Sequence, residues 1–142
     1  MKVVFRVKLT SKGNYAIAAL LDLALHDMGQ CIPLKDISRR INISENYLRQ
    51  LFMLLTRQDL IGSSRGLGGG YFLEVNPCDI RLIDIIEAVE GNICIVPCID
   101  SNNCQVGQDE KECVAKTLWE SLNAAIREQL KDMTLQELVD EY

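Results

Sequence analysis

The chain has 142 residues, of which 48% are hydrophobic and 25% charged, and its formal net charge is −5. These values are typical of one globular domain. The chain contains no run of about 18 apolar residues, the length that would be needed to cross a membrane. Residues 1–13 lack the continuous apolar core of a secretion signal, so we expect a cytoplasmic protein in which disulfides are disfavoured.

The charge is divided unevenly along the chain. Residues 1–75 carry ten Lys or Arg against six Asp or Glu, whereas residues 76–142 carry five against fourteen. DNA affinity depends on local neutralisation of phosphates and not on the average over the chain. The basic first half therefore permits DNA binding, although a chance asymmetry of solvated faces would give the same numbers.

Two helices are predicted before residue 42. The first has an N-cap at Ser11, extends to about His26 and has Gly29 as its stop. The second is short and begins at Pro33, where the missing N–H of proline costs nothing. Its apolar stripe consists of Leu34, Ile37 and Ile41.

A third helix follows the turn at Asn42, begins after the N-cap Ser44 and ends near Gln58. Its apolar face consists of Leu48, Leu51, Phe52 and Leu55, and its opposite face of Asn46, Arg49, Gln50, Met53 and Arg57. A helix–turn–helix unit buries the first face and presents the second to the major groove of DNA. A bundle helix with a solvated outer side would show the same pattern.

The next segment predicts a wing. Leu60 and Ile61 begin one strand, and residues 71–73 form another after the glycine-rich residues 66–70. Two short strands around a Gly-rich tip indicate a hairpin. Arg65 lies in this slim hairpin, which could enter a minor groove of DNA, and a narrow minor groove favours arginine. A phosphate-binding loop is excluded, because no Gly-Lys-Ser/Thr sequence follows and the next element is a strand.

Three further helical segments are predicted after Pro77. One extends from Ile80 to Glu90, and Gly91 ends it. The longest covers residues 114 to about 131, and Thr134 caps a last short segment. The apolar stripe of the long helix consists of Leu118, Trp119, Leu122, Ile126 and Leu130. Pairing with a second copy would cover this stripe; the alternative is a helix folded back onto its own domain.

Four cysteines occur within residues 94–113, in a short polar segment without apolar periodicity; they are Cys94, Cys98, Cys104 and Cys113. Thiolates at short loop spacings can converge on one soft metal centre, so we predict metal or cluster binding, with unrelated thiols as the alternative. Cys31 and Cys78 stand alone and are interpreted as small apolar residues. The only histidine, His26, is interpreted as structural, and without a nucleophile–base pair no enzyme is expected.

Six segments resemble the IscR-like family of bacterial winged-helix regulators. They are residues 9–16 (LTSKGNYA), 33–38 (PLKDIS), 47–52 (YLRQLF), 65–71 (RGLGGGY), 85–90 (IIEAVE) and 118–119 (LW). The resemblance covers residues 9 to about 139 in one register. It implies a homodimeric regulator, which we expect to be a repressor, that binds a double-stranded DNA operator and holds an iron–sulfur cluster of two-iron or four-iron form.

The resemblance also implies site residues. The cluster-binding triad maps onto Cys98, Cys104 and Cys113. Cys94 is the local candidate for a fourth ligand, and the alternatives are a residue in the first helix of the partner subunit or an exogenous ligand. The predicted DNA-binding residues are Ser44, Asn46, Tyr47, Arg49, Gln50, Arg57 and Arg65. The chain departs from the pattern twice: Lys116 stands where near relatives in the family carry a histidine, and Arg49 stands where the best-known cluster-sensing member carries an acidic residue.

The predicted fold is therefore mainly α with a small two-stranded wing. It comprises a winged helix–turn–helix region (residues 1–75), a connecting helix (76–91), a cysteine-rich cluster loop (92–113), and a dimerisation helix with a C-terminal turn (114–142). The predicted function is transcriptional regulation modulated by the cluster. The alternatives are a zinc or thiol redox switch on the same fold, or a sensor of cysteine metabolism without a cluster.

Overall fold

A computed structural model describes residues 11–95 and 114–142 of the chain. Its helices are α1 (Ser11–Leu25), α2 (Leu34–Ile41), α3 (Glu45–Arg57), α4 (Leu82–Glu90), α5 (Val114–Asp132) and α6 (Leu135–Glu141), and its strands are β1 (Ile61–Ser64) and β2 (Gly70–Leu73). A 3₁₀ turn at Pro77–Asp79 precedes α4. The mainly helical fold with a two-stranded wing is confirmed.

The helix–turn–helix unit consists of α2 and α3. Asn42 makes the turn in the left-handed conformation (φ 56°), which asparagine tolerates better than most residues. Ser44 then caps α3, since its hydroxyl accepts the N–H of Tyr47 at 3.3 Å. The predicted apolar face of α3 is fully buried, and Leu34 and Ile37 of α2 belong to the same core.

The wing is an antiparallel hairpin in which Ile61 pairs with Leu73 and Ser64 with Gly70. Its second strand is tied to the segment before α2, because Tyr71 and Ile32 exchange backbone hydrogen bonds of 2.8 and 2.9 Å. Gly70 is required at this crossing: its φ is 156°, and a Cβ there would collide with the carbonyl of Ile32. The base of the wing is thus fixed to the helix–turn–helix unit. The part of the chain formed by α1, α2, α3 and the wing, which share the main core, is termed the head.

The C-terminal helix α6 is part of the head and not an extension of α5. Leu135 is fully buried in the main core, and its N–H donates to the carbonyl of Ile80 at 2.8 Å. Leu82 N–H returns a hydrogen bond of 3.0 Å to Met133. A capping box formed by Thr134 and Glu137 begins the helix.

Two predicted helix boundaries differ from the structure. Ser11, the first residue that the structure describes, is already helical and is therefore not the N-cap of α1. The connecting helix α4 begins at Leu82 and not at Ile80, because Ile80 completes the 3₁₀ turn and accepts a hydrogen bond from α6.

No helix within the described ranges is both long and apolar enough to cross a membrane.

Replacing Leu135 with alanine should lower the free energy of unfolding by about 2–5 kcal/mol, because the substitution leaves a cavity in the core. Leu67→Ala is the matched control, since Leu67 is fully exposed at the tip of the wing. Urea unfolding followed by circular dichroism measures both. An unchanged midpoint for Leu135→Ala would contradict the assignment of α6 to the head.

Candidate nucleic-acid interface and cysteine loop

The outer face of α3 is exposed along its whole length. The residues on it are Asn46, Arg49, Gln50, Met53 and Arg57, and each is exposed in this chain. The opposite face is buried, with Leu48, Phe52 and Leu55 inaccessible to solvent. Three side chains able to contact base edges, Asn46, Arg49 and Gln50, are therefore presented on a helix that its buried face holds in place.

Tyr47 lies in the first turn of α3 and packs against α1. Its ring meets that of Tyr15 edge-on, with centroids 5.8 Å apart and planes at 86°, a favourable geometry for aromatic pairs. Partial burial raises the pKa of Tyr47, and the charges of Tyr15 and Glu90 raise it further. Like any tyrosine hydroxyl, that of Tyr47 is protonated at neutral pH and can donate a hydrogen bond.

The wing tip carries Arg65, which is exposed. After it, Gly66 (φ 94°) and Gly68 (φ 75°) adopt the left-handed conformation, and Gly69 N–H donates to the Gly66 carbonyl at 3.0 Å. The two left-handed glycines and this hydrogen bond form a tight turn, so that the tip of the wing is narrow. The adjacent Leu67 is fully exposed.

An ion pair joins α1 to α2. Arg40 donates two hydrogen bonds to the carboxylate of Asp22, at 2.8 and 2.7 Å, and Asp22 is only 7% exposed. The hydrogen bond to Asp22 raises the pKa of Arg40. The Nδ1 atom of His26 lies 2.8 Å from the Asp22 carbonyl, so His26 takes part in this local network.

The segment that leads into the cysteine loop, residues 91–95, is termed the arm. Ile93 is buried in a small apolar cluster with Ile83 and Ile86 of α4, against which Ile17 of α1 and Leu130 of α5 pack. The arm is thus anchored between three helices.

Polar contacts attach the arm and α4 to α5. Ile95 N–H donates to the Asn123 side-chain oxygen at 3.2 Å. Arg127 forms an ion pair with Glu87 of α4 and donates to the Asn92 side chain at 3.0 Å. Sequence reasoning missed all of these residues, because a polar side chain on a helix gives no sign of a partner 28 to 40 positions away.

Of the four predicted cluster ligands, the structure describes Cys94, which is half-buried in the arm. Cys98, Cys104 and Cys113 lie outside the described residues. In residues 11–95 and 114–142, no three His, Cys, Asp or Glu side chains form a group that could hold a metal ion. Cys31 is half-buried and Cys78 is exposed.

The apolar stripe of α5 is only partly covered by its own chain. Leu130, near the C-terminal end, packs against the head. Towards the N-terminal end, Leu118 is 55% exposed and Leu122 is 41% exposed. This half of the stripe leaves apolar surface in contact with water, which is energetically unfavourable.

A family model and several relatives of known name match nearly the whole chain. The family model of Rrf2, described as an iron-dependent transcriptional regulator, matches residues 9–141. The HTH-type transcriptional regulator IscR of Vibrio atlanticus (strain LGP32) is 44% identical over 133 residues, which cover 94% of this chain and 75% of that protein. The corresponding IscR of Pectobacterium atrosepticum is 42% identical over 94% of this chain and 80% of its own.

Solved structures show the same fold. CymR, the global cysteine regulator of B. subtilis, superposes with a TM-score of 0.78 at 34% identity and covers 95% of this chain and 98% of its own. IscR of T. potens superposes with a TM-score of 0.75 at 32% identity and covers 96% of this chain and 88% of its own.

Proposed function

Because the chain belongs to the Rrf2 family of iron-dependent transcriptional regulators, we propose that it represses transcription as a cytoplasmic homodimer whose operator affinity depends on an iron–sulfur cluster. That it is a transcriptional regulator and not an enzyme follows from the family. The observation that carries the proposed DNA reading is the exposed polar face of α3, whose opposite face is buried in the core.

In this proposal α3 lies in the major groove of the operator. Arg49, Gln50 and Asn46 contact base edges, for which their donors and acceptors are suited. The phosphate backbone is contacted by the N-cap Ser44 and by Tyr47 and Arg57 of the helix. Ser44 and Tyr47 lie at the positive N-terminal end of α3, which favours an anion. Arg49 would favour guanine.

The wing supplies a second contact, in the minor groove. The guanidinium of Arg65 is exposed at a narrow tip, and the negative potential of a narrow, A·T-rich minor groove attracts arginine. Because β2 is fixed to the segment before α2 through Ile32, the wing and the recognition helix would engage the operator as one rigid unit.

We propose that Cys98, Cys104 and Cys113 hold the cluster, with Cys94 as the fourth ligand. The donor set fits, since thiolate is the usual ligand of iron–sulfur clusters. The placement of Cys94 also fits, because buried Ile93 and hydrogen-bonded Ile95 hold it on both sides. Lys116 does not suit this role, since a protonated amine has no electron pair to donate to iron.

When bound, the cluster supplies iron–thiolate bonds that close the cysteine loop and are broken when it is lost. The chain converts this change into altered DNA affinity by restraining the residues between α4 and α5. On one side of the loop, the arm is anchored by Ile93 against α4. On the other side, the ion pair between Arg127 and Glu87 attaches α5 to α4. A restraint on the loop would therefore act on the head.

The uncovered half of α5 supports the proposed homodimer. Two copies that pair through Leu118 and Leu122 would remove these side chains from water. A two-fold axis through the pair would also relate two recognition helices, as required for an operator with two half-sites.

A second candidate function retains DNA binding but replaces the cluster with zinc or with a thiol redox switch that responds to cysteine metabolism. The similarity to CymR, described as a global cysteine regulator, favours it. So does the similarity to oxidised CymR of Staphylococcus aureus, at 35% identity and a TM-score of 0.74. Cofactor analysis distinguishes the two candidates.

Arg49→Ala should reduce operator affinity by about 1–3 kcal/mol and relax base preference at one position of each half-site. Arg65→Ala should weaken binding mainly to operators with A·T-rich flanks. Fluorescence anisotropy with an operator selected from genomic fragments measures both. Arg81→Ala, at an exposed arginine before α4, is the control, and equal losses for all three variants would refute specific reading by α3 and the wing.

Protein purified without air should be brown and should contain both iron and inorganic sulfide. Cys98→Ala, Cys104→Ala and Cys113→Ala should each abolish the visible absorbance while the far-ultraviolet circular dichroism remains unchanged, and Cys94→Ala tests the fourth ligand. Cys78→Ala, at an exposed cysteine distant in sequence from the loop, should retain the colour. Colourless wild-type protein with stoichiometric zinc would exclude the cluster and favour the second candidate.

The double substitution Leu118→Glu and Leu122→Glu should convert the dimer into a monomer, because it places charges in an apolar interface. Sedimentation equilibrium measures the mass, and Leu67→Glu at the wing tip is the control for an added charge at an exposed leucine. A dimer that persists in the double variant would show that α5 does not form the interface.

A further inference from the structure

Glu90, the last residue of α4, is joined to the beginning of α1. One of its carboxylate oxygens accepts the N–H of Gly13 at 3.0 Å, a contact between residues 77 positions apart. Gly13 lies in the first turn of α1, where N–H groups lack partners within the helix, and a carboxylate is favoured at this positive end. Gly13 is also buried beside Ile86, so α1 and α4 approach closely at this point.

On its other side, Glu90 is connected to the cysteine loop. Gly91 ends α4 with φ 82°, and Cys94 follows only four residues after Glu90. Between them, Ile93 is buried against Ile86 of α4. A displacement of Cys94 therefore acts on the end of α4 through a short segment that is packed and not free to absorb it.

The first turn of α1 leads to the recognition helix. Tyr15 is two residues after Gly13 and lies edge-on against Tyr47 in the first turn of α3. Asn46, which we propose to read a base, precedes Tyr47 directly. Burial raises the pKa of Tyr47, and the charges of Tyr15 and Glu90 raise it further.

We infer that Glu90 is a positioning residue that transmits the state of the cysteine loop, through Gly13 and Tyr15, to the beginning of the recognition helix. This inference rests on the proposed function, in which ligation of the loop changes operator affinity. A purely structural Glu90 would affect the stability of the head equally with and without the cluster. A transmitting Glu90 determines how strongly cluster loading changes DNA binding.

The test compares operator affinity between cluster-loaded and cluster-free protein, prepared without air. Coupling between two sites typically changes an affinity by about 5- to 150-fold. In Glu90→Ala this ratio should fall to within about twofold of one, while iron and sulfide contents remain those of the wild type. Glu90→Gln keeps an oxygen that can accept from Gly13 and should retain most of the ratio.

Two further variants make the result specific. Asp84→Ala removes an exposed carboxylate from the first turn of the same helix and should leave the ratio unchanged. Tyr15→Ala interrupts the path beyond Gly13 at a side chain that is already 37% exposed. It should lower the ratio as Glu90→Ala does, even if Glu90→Ala itself fails to fold.

Amide hydrogen exchange gives a readout that does not depend on DNA. The Gly13 amide should exchange at least about tenfold faster in Glu90→Ala, because it loses its acceptor. Loading the cluster should slow exchange in the first turns of α1 and α3 of the wild type, and in Glu90→Ala it should slow exchange only in the arm.

The inference would be overturned if Glu90→Ala, with an intact cluster, kept the affinity ratio of the wild type. It would also be overturned if the exchange response at α3 were the same as in the wild type. Either result would leave the proposed function standing. If loading does not change the affinity of the wild type at all, the proposed regulation is wrong. In that case the exchange response of α1 and α3 still decides whether Glu90 connects them to the loop.

Discussion

The packing of α4 on two sides connects the main core with the arm. Leu82, Ile85 and Val89 enter the main core shared with α1 and α3, whereas Ile83 and Ile86 form a second cluster with Ile93 of the arm. Because both faces are buried, α4 cannot shift without disturbing the recognition head and the cysteine loop together. This one short helix therefore connects the head with the arm, the segment that leads into the proposed cofactor site.

The distribution of charge along the chain is compatible with DNA binding by its first half. The arginines available to DNA, Arg49, Arg57 and Arg65, project from the exposed face of α3 and from the wing. The half of the chain after residue 75 is strongly acidic. A protein with such a distribution would be oriented on a polyanion, with its basic part turned towards the phosphates. Its negative overall charge is thus compatible with operator binding.

The proposed effect of the cysteine loop depends on where its two ends are attached. On one side the arm is held by Ile93 and by the hydrogen bond from Ile95 to Asn123. The ion pair between Arg127 and Glu87 then holds α5 against α4. In a loop with loosely attached ends, cofactor binding would be a local event; here its consequences would reach helices on both sides.

The local elements could be predicted from neighbouring residues: the cap at Ser44, the turn at Asn42, the buried face of α3, the wing hairpin and the length of α5. Each depends on residues within about one to four turns of one another, so periodicity and turn chemistry suffice. The folded structure was needed to show that α6 belongs to the head, that α4 begins after a 3₁₀ turn, and that Glu90 accepts a hydrogen bond from Gly13. These facts depend on contacts between distant positions, such as Leu135 with Ile80, which the pattern of neighbouring residues does not encode.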